Sequence, residues 1–366
     1  MTGRKFIPLF CLLFLLQPRF IQGEIVNHGK YSIHRVIYID GDSGFTPSNG
    51  VVGGDGTASN PYRISNWIIT PLVGSGICIR NTTSYFIVEN CYILGDRRVY
   101  GIHLDNVTNG RIVNCTCINC GFGVLLTSSS NNIVENCRCT YCSYGVSING
   151  CPYGYEASSN HNIIRYCVVS NCWRGIYFCC LPSSYDNLIY KCMIYNNNLG
   201  IVLDHCVHYV LITHCNISNN EIGINIVYDS SDNYITGNIF KGNREHARDN
   251  CRNHWDNGET LGGNYWEGHN ASLPYRIPGF GGDIDQHPLS TMRLPKPFVS
   301  FFLYEPSIVF VGEEILFDTS PSFSVEENVS YRWFSMMEQQ VMEKKPLMYT
   351  SMKEYIMLHL LWRMIQ

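Results

Sequence analysis

A glycine signature returns seven times along the chain. It reads "GICI" at Gly76, "GIHL" at Gly101, "GVLL" at Gly123, "GVSI" at Gly145, "GIYF" at Gly175, "GIVL" at Gly200 and "GINI" at Gly223. Successive glycines lie 25, 22, 22, 30, 25 and 23 residues apart. A near-fixed period of this size marks a repeat architecture and restricts the fold more tightly than composition does. Between the glycines runs a second apolar stretch. Its fixed column is β-branched throughout: Val88, Ile112, Val134, Ile164, Ile189, Ile212 and Ile235. Three residues later the column reads Cys91, Cys115, Cys137, Cys167, Cys192, Cys215 and Asn238. Two further on it reads Ile93, Cys117, Cys139, Val169, Ile194, Ile217 and Phe240. Three beyond that it reads Asp96, Cys120, Cys142, Cys172, Asn197, Asn220 and Asn243.

Each repeat holds short β-branched stretches broken by Asn, Ser and Gly, with no helical period. One repeat cannot bury its own apolar face, whereas repeats stacked in register bury a continuous column. The spacing predicts an all-β parallel β-helix with two or three short strands per turn. Its rungs stack at about 4.8 Å, the ordinary strand spacing. The longer gap before Gly175 contains "CPYGYEASSN", read as a loop bulging from one rung.

The triplets "CTCINC" and "CRCTYC" look like thiolate clusters. The columns give another reading, because the three cysteines of a rung fall in three different columns. Cys117 and Cys139 replace Ile or Val and read as core. Cys120, Cys142 and Cys172 share a column with Asn197, Asn220 and Asn243, which can form a ladder bonding the turn backbone from rung to rung. A packing role fits free Cys, among the most buried of residue types. A soft-metal cluster and rung-to-rung disulfides stay open as alternatives. Loss of Cys11 with a leader would leave 17 of the 18 cysteines, an odd number.

That leader is expected from "MTGRKFIPLFCLLFLLQPRFIQG", in which Arg4 and Lys5 precede an apolar run from Phe6 to Leu16. The run is short for a bilayer span and fits a signal peptide over residues 1–23, so the chain is expected to be secreted or at the cell surface. Sequons begin at Asn81, Asn106, Asn114, Asn216, Asn270 and Asn328, which is compatible with export. A formal charge of −4 argues against a nucleic-acid partner.

The rungs "NIVENC…GV", "NLIYKCMIYNNNLGI" and "YITGNIFKGN" resemble the NosD-like group of right-handed parallel β-helix repeats. That group sits in a wider class of carbohydrate-binding proteins and sugar hydrolases. The resemblance covers residues 38–289 and closes on "NHWDNGETLGGNYWEG", similar to the family's C-terminal cap. It implies copper handling. No ion site is carried over from the cap, because the acidic Gly-Asp segment of relatives is reduced here to "EGHNASL".

Residues 24–289 are thus expected to form the β-helix domain. Residues 296–333 resemble the first half of a PKD domain, a partial immunoglobulin-like β-sandwich, through Val311-Gly312-Glu313, Phe317-Asp318 and Tyr331-Arg332-Trp333. Residues 334–366 then lose the pattern. Met has one codon, so a shifted reading frame is constrained: Met336-Met337 would give Asp and Met337-Glu338 would give Gly. Allowed choices elsewhere complete a PKD-like ending. The hypothesis is a frameshifted tail, and an intact frame on resequencing the locus would refute it. The alternative is an amphipathic helix from Tyr355 to Met364.

Candidate sites are few. His205, Cys206, His208 and His214 in "DHCVHYVLITHC" are the best metal candidates, since imidazole and thiolate suit copper or zinc. Tyr153, Tyr155, Trp173, Tyr177 and Tyr190 cluster in adjoining rungs and the long loop as a candidate glycan platform. Asp105 and Asp204 share an outer column but lie four rungs apart, about 19 Å, too far to cooperate in glycoside hydrolysis. Glu135 and Arg165 read as a surface ion pair. The reading is a structural or binding β-helix associated with glycans or the cell surface, against a copper-handling protein or a polysaccharide-cleaving enzyme. No catalytic residue stands out.

Overall fold

The computed structural model describes residues 31–149, 158–179 and 184–291, with a few short strands beyond. The chain winds into a parallel β-helix with three strands per rung. Sheet 1 has nine strands and includes Phe86–Glu89, Gly110–Val113, Ile133–Glu135, Ile163–Arg165, Leu188–Tyr190, Leu211–Thr213 and Tyr234–Thr236. Sheet 2 has ten, among them Tyr92–Leu94, Thr116–Ile118, Arg138–Thr140 and Val168–Ser170. Sheet 3 has nine and carries the glycine signature in strands such as Phe122–Thr127, Tyr144–Asn149, Arg174–Cys179 and Leu199–Asp204.

The register follows the sequence columns. Ile112 faces Val88 and Val134, and Cys117 faces Ile93 and Cys139. These inward columns are fully buried and form one continuous core. The signature glycine has a steric cause. A Cβ on Gly123 would lie 2.5 Å from the carbonyl oxygen of Gly145, and one on Gly175 would lie 2.4 Å from that of Gly200.

Single left-handed residues turn the corners. Asn90, Asn114, Asn136, Tyr166, Lys191 and His214 do so between sheets 1 and 2. Asn119, Tyr141, Asn171, Asn196 and Asn219 do so between sheets 2 and 3. Asn tolerates this backbone region better than most residues, which accounts for much of its abundance.

The ladders form at the corners. The Asn197 amide N–H donates to Asn220 Oδ1 at 2.9 Å, and Asn220 donates likewise to Asn243. Each Asn Nδ2 donates back to a carbonyl of the preceding rung, as Asn220 does to Ile194 at 3.0 Å. Cys172 and Cys142 aim their thiols at the equivalent carbonyls of Cys139 and Cys117. In the other column Cys91, Cys115, Cys137, Cys167, Cys192 and Cys215 point their thiols at carbonyls of the rung before, as Cys137 does to Ile112 at 3.5 Å. Among the described residues the cysteines are free thiols.

One expected assignment is corrected. Val99, not Asp96, occupies the Cys120 column, because Gly121 donates to the Val99 carbonyl just as Ser143 does to that of Cys120. Asp96 lies in an exposed excursion and pairs with Arg98.

Trp255 and Trp266 close the C-terminal end, where Trp266 stacks on Phe240 at 4.3 Å and on Tyr275 at 4.0 Å. Beyond it, Leu303–Glu305, Glu314–Asp318 and Leu347–Tyr349 form a small antiparallel sheet. The expected leader, Tyr153, Tyr155 and most of residues 296–366 lie outside the described residues.

Candidate metal centre

Strand alternation sends Ile176 and Phe178 into the core and turns Tyr177 and Cys179 to the outer face of sheet 3. Cys179 ends its strand and faces Asp204, which ends the next. The chain then turns through two successive left-handed residues, His205 at φ 59° and Cys206 at φ 55°. The turn brings His205 back over the strand ends, where it stacks on Tyr228 with ring centroids 4.5 Å apart.

A thiol, a carboxylate and an imidazole therefore meet. Ligand atoms of Cys179, Asp204 and His205 all lie within 4.8 Å of one another, the one such group of three among the described residues. Asp204 Oδ1 and His205 Nδ1 are 2.7 Å apart. The contact lies off the direction of a hydrogen bond, and among the described residues both buried atoms are without a hydrogen-bond partner. The other Asp204 oxygen accepts the Tyr177 hydroxyl at 2.9 Å. Burial pushes the Cys179 thiol up from its ordinary value. Burial, with Cys179 and Asp204 close by, does the same to the Tyr177 phenol.

This donor set fits a copper or zinc ion. Thiolate and imidazole are ligands of both, and a carboxylate completes a three-donor face. A cation seated beside the two atoms could take both as ligands and so answer two buried polar atoms that have no hydrogen-bond partner among the described residues.

The four metal candidates named from sequence do not converge. His205 joins the group. Cys206 is half-buried at the turn, and its N–H bonds to the Tyr228 carbonyl. His208 places Nδ1 3.2 Å from Ser231 Oγ and stacks on Tyr185. His214 lies at the corner of sheets 1 and 2, with Nδ1 2.8 Å from Thr213 Oγ1. The physical reason is the winding: neighbours across the surface of a solenoid are one turn apart in sequence, 25 residues for Cys179 and Asp204, not two or three.

The described members of the expected aromatic platform do not lie together. Tyr177 is 8% exposed and Tyr190 is 0% exposed, and they lie on different sheets. Of the described members only Trp173, 58% exposed at a corner, is open to a sugar face. The outer aromatic row of sheet 3 stacks on itself, with Phe122 and Tyr144 4.5 Å apart and 7° from parallel. Of the carboxylates weighed above, Asp105 and Glu135 are engaged by arginines, whereas Asp204 belongs to the metal group. Arg80 pairs with Asp105 at 2.8 Å, and Glu135 takes both Arg165 and Arg111.

Fold and site together define a parallel β-helix protein bearing a sulfur, nitrogen and oxygen donor group on one outer face. The chain belongs to the NosD family, described as periplasmic copper-binding protein, which matches residues 65–271. No curated protein matches the sequence. Among solved structures the chain is similar to the periplasmic alginate epimerase AlgG, at 13% identity over 59% of this chain and 66% of that one, TM-score 0.32. It is also similar to pectate lyase Pel9A, at 15% identity over 66% and 74%, TM-score 0.35. The Dettilon tailspike protein aligns at 14% identity over 80% and 70%, TM-score 0.33. Likeness at this level assigns no activity to the chain.

Proposed function

We propose that this protein is an exported β-helix scaffold that binds a copper or zinc ion through Cys179, Asp204 and His205. The observation that carries the reading is the pair of buried atoms, Asp204 Oδ1 and His205 Nδ1, which face each other without hydrogen-bond partners among the described residues. Cys179 adds the soft ligand that copper favours. The family's description as copper-binding supports the choice of copper first. A bound ion would supply Lewis acidity or, for copper, a redox couple. The chain's own residues supply a fixed carboxylate, held by Tyr177, and an imidazole held flat against Tyr228. Export is supported by the family's periplasmic description and by the apolar leader sequence.

The test is metal content per chain after anaerobic exposure of the full-length protein to copper(I), copper(II) and zinc. One ion per chain is expected, lost in Cys179→Ser, Asp204→Asn and His205→Ala and kept in His208→Ala and His214→Ala. Binding that survives His205→Ala, or that depends on His208, would overturn the assignment. A glycan-associated scaffold is the second reading, favoured by exposed Trp173. A glycan array that gives the same signals for the protein and for Trp173→Ala would remove it.

A further inference from the structure

Arg174 begins its strand on the outer face of sheet 3, and among the described residues its guanidinium is held by rings. Its guanidinium carbon lies 4.5 Å from the ring centroid of Tyr177 and 5.5 Å from that of Tyr144. Aromatic faces position a cation but leave its N–H donors unanswered. Among the described residues Nε of Arg174, like that of Arg165, is buried without a hydrogen-bond partner, but Arg165 has an acid on its Nη2 and Arg174 has none. Other arginines nearby in the solenoid are matched with acids: Arg80 with Asp105, Arg111 and Arg165 with Glu135, Arg248 with Glu245. Asp204, on the same face as Arg174, accepts the Tyr177 hydroxyl and has no arginine partner among the described residues.

We propose that Arg174 is the anchor of an anion subsite that takes a carboxylate. A guanidinium presents parallel N–H donors in a planar fork that matches the two oxygens of a carboxylate. Tyr144 and Tyr177 fix the plane of that fork before any ligand arrives, which lowers the ordering cost of binding. The charge count favours a monoanion, since among the described residues Arg174 has no acidic partner and Asp204 on the same face disfavours a second negative charge. The subsite needs no metal in the neighbouring group. The carboxylate can belong to a free small acid or to an acidic sugar within a polymer, and the chemistry at Arg174 is the same.

The full-length protein, stripped of metal by chelation, would be titrated calorimetrically with acetate, glucuronate, a uronate oligosaccharide, a neutral oligosaccharide of equal length and inorganic phosphate. Carboxylate probes are expected to bind and the neutral sugar is not. Equal affinity for glucuronate and the oligomer identifies a free acid, and binding of the oligomer alone identifies a polymer. Arg174→Gln is expected to weaken carboxylate binding at least tenfold. Arg174→Lys is expected to weaken it nearly as much, because an ammonium cannot form the fork. Copper retention should be unchanged in Arg174→Gln, which separates this subsite from the metal reading. No carboxylate binding, unchanged binding in Arg174→Gln, or preference for phosphate over every carboxylate would overturn the proposal.

Discussion

Cys179 is half-buried, and its thiol is pushed above the ordinary value first of all by that burial. Only the thiolate is a metal ligand, so an ion must displace the thiol proton. Below the thiol pKa each bound ion then releases one proton from Cys179. Metal affinity is therefore expected to rise about tenfold per pH unit through neutrality. Competition with a chelator of known affinity between pH 6 and 8 measures this, and a flat profile would remove Cys179 from the ligand set. Tyr177 acts one step back. Its hydroxyl holds one oxygen of Asp204 and leaves the other toward His205. Tyr177→Phe is expected to weaken metal binding about 10- to 100-fold, with unchanged melting of the metal-free protein. Sequence singled out His205 by the chemistry of its neighbours in the chain. It could not pair His205 with Cys179, because that contact comes from the turn of the solenoid. The column that aligns Cys179 with Asp204 is readable in the sequence, and the left-handed turn that swings His205 onto them is not.

At the scale of strands and corners, Asn and Cys do one job with different strength. Asn220 accepts the Asn197 N–H and donates to the Ile194 carbonyl, all of it buried. Asn220→Ala strands both partners and is expected to cost about 2–4 kcal/mol, read from a denaturant midpoint. Cys172 occupies the rung before Asn197 in the same column, and its N–H already donates to Asn197 Oδ1. Cys172→Asn would extend the ladder, with the new amide donating toward the Cys139 carbonyl, and is expected to be neutral or stabilising. Cys117 faces the apolar interior, in a column that elsewhere holds Ile93, Ile194 and Ile217. Cys117→Asn is therefore expected to cost about 3 kcal/mol or more. Equal effects at Cys172 and Cys117 would contradict this division of the cysteines. The division itself is legible in the sequence, since each column shows what its cysteines replace. A further ladder is not among the columns read from sequence: Asn132, Asn162 and Asn187 run up another corner, with Asn233 and Asn253 beyond. Its signal was present as the Asn that opens "NIVENC", "NIIRYC" and "NLIYKC". The Val210 position interrupts the run, which hides the column in the sequence.

For the whole molecule the ends matter most, because each rung touches only its neighbours and unfolding can propagate from an open end. The C-terminal cap satisfies its buried indoles with acids. Trp255 donates to Asp249 at 2.9 Å and Trp266 to Asp285 at 2.7 Å. The G-N-Y-W motif was legible as a cap, whereas the acids that anchor it lie upstream at Asp249 and downstream in "GGDIDQ", where sequence gave no reason to pair them with tryptophan. Asp283 completes the group by accepting the Asn253 N–H at 3.0 Å. Burial, and then the proximity of Asp249, push Asp283 up to about 6. Its folded value lies above its unfolded one, so its stabilising share is fully present below about 3.8 and is lost as pH rises through about 6. The cap thus carries an unfavourable charge at neutral pH. Asp283→Asn keeps an acceptor for the Asn253 N–H and removes that charge. It is expected to raise the melting temperature by a few degrees at pH 7.5, about the effect of 1 kcal/mol in a domain of this size, and to change it little at pH 4. Thermal melts of both proteins across that range measure the difference. Parallel curves for the two proteins would mean that Asp283 does not set the pH response of the cap.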